Sequence, residues 1–176
     1  LRIGLYKTLI EMGANIKFLN EREIDGENIA DISAKSSSLI GITVPKSRAP
    51  SMIDEYPILA VAASIANGVT IMEGVQELRY KETDRIKAMA EGLSSMGIQT
   101  QNTEDSLTIY GKGTPSLIEG GVNIHSMLDH RIAMSFLCLG LISEKPIIVN
   151  DTDTISSSFP NFFDEMNKIG AKLNYI

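Results

Sequence analysis

Cysteine occurs once and histidine twice in the 176 residues, and these two scarcities remove several kinds of chemistry at the outset. The single Cys138 lies in the apolar run IAMSFLCLGLI. It cannot form an internal disulfide, it reads as core, and it fits a reducing compartment such as the cytoplasm. His125, His130 and one cysteine supply no ligand set for structural zinc, and they leave little for a histidine-based triad. Long hydrophobic runs are also missing. VAASIANG and IAMSFLCLGLI fall short of the roughly 18 to 20 residues that a membrane-spanning helix needs, so no membrane segment is expected, and no secretory signal opens the chain. Cations are outnumbered, with 16 Lys and Arg against 22 Asp and Glu and a net charge of -6. A chain of that sign does not present a nucleic-acid surface, and any anionic ligand must be held by cations gathered locally. No dinucleotide fingerprint is present, and YGKGTPS lacks the glycine spacing and residue order of a phosphate loop.

What the sequence does contain is an internal repeat. LYKTLIEMGANIKFL, IKAMAEGLSSMGIQT and FDEMNKIGAKLNYI each read as a helix stopped by glycine and followed by a strand, with Gly13, Gly97 and Gly170 separated by 84 and 73 residues. Each glycine stands where a left-handed helix cap is wanted. SMIDEYPILAVAASIANGVTIM and SMLDHRIAMSFLCLGLISEKPIIV repeat a second pattern: Ser-Met-aliphatic-Asp, an apolar helix, then a β-branched strand. Their aspartates, Asp54 and Asp129, are 75 residues apart. Matching strand-rich stretches, DISAKSSSLIGITVP and DSLTIYGKGTPSLIEGGVNI, precede them.

Helices alternating with β-branched strands predict a layered α/β (α+β) fold. The period is too long for a helical solenoid. Helices as apolar as 55–66 and 130–142 must be covered on nearly all sides, which predicts buried helices with sheets outside. A chain that starts at Leu1 without methionine, close to a helical pattern already under way, is expected to be a piece of a longer protein.

The same repeat positions carry the charge. Asp54 and Asp129 stand at the starts of the two apolar helices, where free N–H groups and the positive dipole end favour an anion, so each reads as an N-cap. His130 and Arg131 follow Asp129. An arginine in the first turn of a buried helix opposes the dipole and calls for an anionic partner, either a ligand phosphate or carboxylate or an acidic side chain of the protein. In ELRYKETDRIKAM, residues 77–89, the stripe Ile86, Met89, Ala90, Leu93 and Met96 marks a helix whose start holds Glu82, Thr83 and Asp84. Lys81 and Arg85 then share a face if that helix reaches far enough back. Two readings stand: a solvated, salt-bridged helix end, or an anion site in which Glu82 beside two cations serves proton transfer. Lys46 and Arg48 read as a solvated loop. Ser156, Ser157 and Ser158 form either a hydroxyl-rich anion loop or ordinary turn and cap residues.

MIDEYPILAVAAS, ELRYKETDR, DHRIAMSF and SFPNFF, in this order and at these separations, resemble the carboxyl-terminal part of the 5-enolpyruvylshikimate-3-phosphate synthase family over nearly the whole chain. The resemblance implies an inside-out α/β barrel of repeated βαβαββ-type units with buried helices and outer sheets. It makes residues 1–176 a single carboxyl-terminal catalytic-half domain whose amino-terminal domain is absent. The implied reaction joins phosphoenolpyruvate to the 5-hydroxyl of shikimate 3-phosphate through a tetrahedral ketal, on the way to chorismate and aromatic amino acids in the cytoplasm, with no metal or organic cofactor. By the same resemblance Asp54 contacts the shikimate hydroxyls and accepts a proton, while Glu77 and Lys81 contact shikimate 3-phosphate. Glu82 protonates the methylene carbon, Arg85 and Arg131 clamp phosphoenolpyruvate, and Asp129 and His130 give support. Ser157 departs from the pattern, standing where some members have a phosphate-contacting lysine. Two other readings are a sister enolpyruvyl transferase acting on UDP-N-acetylglucosamine, which lacks DHRIAM, and a non-catalytic repeat domain that binds a phosphorylated metabolite.

Overall fold

The structure, a computed structural model, describes residues 2–176; Leu1 lies outside them. Its elements repeat as the sequence does. Helix α1 (Gly4–Glu11), strands β1 (Asn15–Ile24), β2 (Glu27–Lys35) and β3 (Thr43–Val44), helix α2 (Tyr56–Ser64) and strand β4 (Asn67–Glu73) form one pass. Helix α3 (Arg85–Ser95), strands β5 (Thr100–Asn102), β6 (Ser106–Lys112) and β7 (Asn123–His125), helix α4 (His130–Gly140) and strand β8 (Ile148–Asn150) form the next. Two short helices follow, α5 (Ile155–Ser158) and α6 (Phe162–Lys168).

Pairing repeats along with order. In both passes the helix ends on a glycine with positive φ, 95° at Gly13 and 74° at Gly97. An antiparallel hairpin follows, β1–β2 or β5–β6. The short strand before the core helix then pairs in parallel with the strand after it: Thr43 with Ile71 in the first pass, Asn123 with Ile148 in the second. Strand β6 also pairs antiparallel with β4, which joins the passes into a four-stranded sheet of order β3-β4-β6-β5. The third pass ends early. Gly170 has φ 102°, as the helix stop requires, but the expected strand after it does not form and residues 171–176 are irregular. A strand needs a neighbour to take its backbone hydrogen bonds, and none lies beside this segment among the described residues.

Helices α2 and α4 lie at the centre. Helix α2 buries Tyr56, Pro57, Leu59, Ala60, Val61, Ala63 and Ser64, nearly its whole circumference, while α4 buries Ile132, Ala133, Ser135, Phe136 and Leu139. They pack on each other, with α3 and α1 against them. Strand β6 closes over α2, sending Leu107 and Ile109 inward at the two-residue period of a half-buried strand. Each fully buried Leu, Ile or Phe in this interior contributes about 1.5–3 kcal/mol.

The approach of α3 to α4 is set by an absent side chain. A Cβ on Gly92 would stand 2.2 Å from Phe136 Cζ and 2.7 Å from Cε2. Phe136 is fully buried and its ring cannot retreat without opening the core. Gly92→Ala is therefore expected to destabilise the protein by about 1–3 kcal/mol through overpacking, although alanine is the better helix former, and chemical denaturation should read this as a lower midpoint.

Candidate active site

The N-termini of α3 and α4 point to one place, and the residues that precede them meet there. Asp84 caps α3, accepting from the Lys87 amide at 3.0 Å, so the helix begins at Arg85. Glu82 and Thr83 therefore lie in the bend before the helix rather than in it. Lys81 is extended, with φ -84° and ψ -157°, and does not share a helical face with Arg85. The two cations meet instead on a common carboxylate, Asp54, with Lys81 Nζ at 3.5 Å and Arg85 Nη1 at 3.2 Å from Oδ1. Arg79 fastens this segment to the β5–β6 turn, donating to the Glu104 carbonyl at 2.9 Å and to the Asp84 carboxylate at 2.6 Å.

Asp129 behaves as expected of a cap, accepting from the Arg131 amide at 2.9 Å and the Ile132 amide at 3.3 Å. Asp54 does not. It lies in a tight turn, Ile53–Glu55, one residue too early, and Glu55 occupies the cap position without a side-chain bond. The Asp54 carboxylate turns to cations, because guanidinium and ammonium groups offer it stronger, charge-assisted bonds than one backbone amide does.

Arg85 is the hub. Its side chain is 1% exposed and that of Asp129 0%. Nε donates to Asp129 Oδ2 at 2.7 Å and Nη2 to Asp129 Oδ1 at 3.3 Å, a two-point grip on a carboxylate already held by the amides of α4. Nη2 also donates to Glu82 Oε2 at 2.5 Å, and Nη1 to Asp54 Oδ1 at 3.2 Å. A guanidinium has five N–H donors. Three carboxylates take four of them, so Arg85 has no free pair to offer an anion. Glu82, 47% exposed, is the one partner that can swing aside.

Arg131 is the more open clamp. Its Nη1 donates to the Asp54 carbonyl oxygen at 3.0 Å and lies 3.5 Å from Glu55 Oε1, and the rest of its guanidinium is half-exposed. Glu77 holds Lys81 at 2.7 Å. His130 opens α4 half-buried and makes none of the hydrogen bonds of this network.

The backbone ahead of Asp129 is strained. Met127 and Leu128, both largely exposed, adopt consecutive left-handed conformations with φ 55° and 58°, which cost non-glycine residues about 1–2 kcal/mol each. The turn is held by the Asp129 amide donating to the Ser126 carbonyl at 3.0 Å and by the Ser126 hydroxyl donating to the Asp151 carbonyl at 2.9 Å.

The structure thus gathers Asp54, Glu77, Lys81, Glu82, Arg85, Asp129 and Arg131 at one surface, with His130 beside them. It adds two residues that the sequence did not flag, Arg2 and Glu55. Arg2 donates to Asp54 Oδ2 and lies 3.9 Å from Glu55 Oε1. Other polar residues go elsewhere. Lys46 pairs with Asp105 at 3.0 Å, and Arg48 ties Thr8 to Glu11. The Ser156 and Ser157 hydroxyls close their own turn on the carbonyls of Asp153 and Thr154. The largest hollow, about 730 Å³ between the end of α4 and residues 169–173, contains none of the charged cluster, which lies open on one side. Among the described residues no helix is long and apolar enough to cross a membrane.

Comparison with known proteins gives this geometry a family. A family model described as EPSP synthase (3-phosphoshikimate 1-carboxyvinyltransferase) matches residues 1–166. The chain is 52% identical to the 3-phosphoshikimate 1-carboxyvinyltransferase of Bartonella tribocorum and 54% identical to that of Cereibacter sphaeroides. The alignments cover 98% of this chain but 39% and 38% of those proteins. A solved structure of EPSP synthase from Acinetobacter baumannii superposes with a TM-score of 0.92 at 45% identity, over 97% of this chain and 39% of that one. The enolpyruvyl transferase NikO from Streptomyces tendae shares the fold at 20% identity, with a TM-score of 0.70 over 97% of this chain and 36% of its own. The chain therefore spans about two fifths of the length of the relatives it matches. With the RxKETDR and DHRIAM segments folded onto one ion-pair network and the family model covering nearly the whole chain, this chain belongs to the EPSP synthase family.

Proposed function

We propose that this chain is the carboxyl-terminal catalytic half of a cytoplasmic enzyme that transfers the enolpyruvyl group of phosphoenolpyruvate to the 5-hydroxyl of shikimate 3-phosphate, releasing phosphate. The observation that carries the proposal is the convergence of Asp54, Glu82, Arg85 and Arg131, brought by two successive repeats onto one open surface through contacts of 2.5–3.2 Å. Charge of both signs at one point suits this reaction. Its substrates are anions, yet protonating the enol carbon builds positive charge, so an acid must stand beside fixed cations.

In this reading Glu82 protonates the methylene carbon of phosphoenolpyruvate, and the substrate hydroxyl, giving its proton to Asp54, bonds to the adjacent carbon to form the tetrahedral ketal. Loss of a proton from the new methyl group then restores the double bond while the C–O bond to phosphate breaks. The proton taken from the hydroxyl leaves with the phosphate. Arg131 receives an anionic group directly. Arg85 receives one only by exchanging it for Glu82, a step that frees the acid as the substrate arrives. Glu77 and Lys81 meet the shikimate 3-phosphate side, while Asp129, with His130 beside it, fixes Arg85.

Because this chain presents the cluster on an open face, closure and water exclusion fall to an amino-terminal domain of the longer protein. The isolated 176-residue chain, given both substrates, is expected to release no phosphate above background in a phosphate assay, and measurable turnover would remove that division of labour. In the full-length protein, Glu82→Gln should lower kcat by about 10²–10⁴-fold without weakening phosphoenolpyruvate binding, because Arg85 keeps all its donors. Steady-state kinetics and equilibrium binding on the same preparation decide this, and a variant that keeps its turnover would leave a binding module as the better reading.

A further inference from the structure

Asp54, the carboxylate assigned above to take the hydroxyl proton, is held from two sides. Lys81 and Arg85 stand on Oδ1 at 3.5 and 3.2 Å, and Arg2 donates to Oδ2. Burial pushes the Asp54 carboxyl up, but the Arg2 hydrogen bond and the charges of Lys81 and Arg131 outweigh it and hold the group at about 2. A carboxylate so stabilised is a poor proton acceptor, because a general base works best with a pKa near the working pH.

A substrate hydroxyl needs one oxygen cleared. On Oδ1 neither partner is free to go, since Arg85 is buried and gripped by Asp129, and Lys81 is mostly covered and tied to Glu77 at 2.7 Å. On Oδ2 the partner is Arg2, 56% exposed, with a second carboxylate, Glu55, 3.9 Å away to receive it.

We infer that Arg2 is a positioning residue of the site: in the unliganded protein it masks Asp54 Oδ2, and the substrate hydroxyl binds by replacing it there while Arg2 falls back on Glu55. This rests on the enzymatic reading above and adds a residue to it. It parallels the exchange on the other side of the cluster, where Glu82 yields Arg85 to an anion. At both positions the exposed member of the pair leaves and the buried member stays.

The test uses the full-length protein and shikimate 3-phosphate as the probe. Arg2→Gln removes the competitor and is expected to tighten binding about two- to fivefold, the range for an exposed ion pair, while Arg2→Lys returns the affinity most of the way. In an Asp54→Asn background, which has no carboxylate to mask, Arg2→Gln should change nothing. Weaker or unaltered binding by Arg2→Gln, or the same tightening in the Asp54→Asn background, would overturn the inference. Turnover measured on Asp54→Asn keeps the two levels apart. If it is lost while the Arg2 variants behave otherwise than expected, only the role of Arg2 fails; if it persists, or if the wild-type protein does not bind the probe, the assignment of Asp54 fails and the role of Arg2 with it.

Discussion

The bidentate pair between Arg85 and Asp129 is the constraint on which the rest of the site depends. Both side chains are removed from water, and a buried charge without its partner costs about 3–5 kcal/mol. The pair persists because neither ion is isolated. Asp129 accepts two amides at the start of α4, where the dipole favours an anion, as well as the guanidinium. Arg85 stands at the start of α3, where the dipole opposes a cation, and three carboxylates offset that. One helix N-terminus thus holds a cation only because a neighbouring N-terminus supplies the anion.

The repeat places those helix ends together. Each pass delivers a core helix, a parallel strand pair around it and a hairpin outside, and the β4–β6 pairing fixes the offset of one pass against the next. Because α3 can approach α4 closely at Gly92, Arg85 and Asp129 face each other, although 44 residues separate them. The left-handed pair Met127 and Leu128 bends the chain so that Asp129 arrives in register, and the strain is offset by the bonds that Asp129 then makes. Folding and site construction meet in one turn.

The charge balance follows the same logic. A chain with net charge -6 gathers Arg2, Lys81, Arg85 and Arg131 around Asp54 and Glu55. This concentrates positive potential where an anionic substrate would dock while keeping the unliganded cluster nearly compensated. The cations are therefore masked rather than free. Binding becomes an exchange of carboxylates, which keeps the cost of assembling like charges low until the ligand arrives.

Much of this was legible in the residues alone. The repeat, the glycine stops at Gly13, Gly97 and Gly170, the buried character of α2 and α4 and the Asp129 cap all follow from signals within a dozen residues, because helix periodicity, capping and left-handed glycine are local physics. Three things were not. Asp54 looked like a second cap, since its local pattern matches that of Asp129, and only the cations brought beside it drew its carboxylate away. The strand after Gly170 was plausible from its residues but needs a neighbour that its own sequence does not supply. Arg2 and Glu55 carry no motif at all, and their place at the site arises from pairing across 52 and 76 residues. The amino-acid order determined which segments become helices, strands and caps. The tertiary structure decided which charges are partners, because an ion pair is chosen by distance in space, and that distance exists only once the repeats have packed.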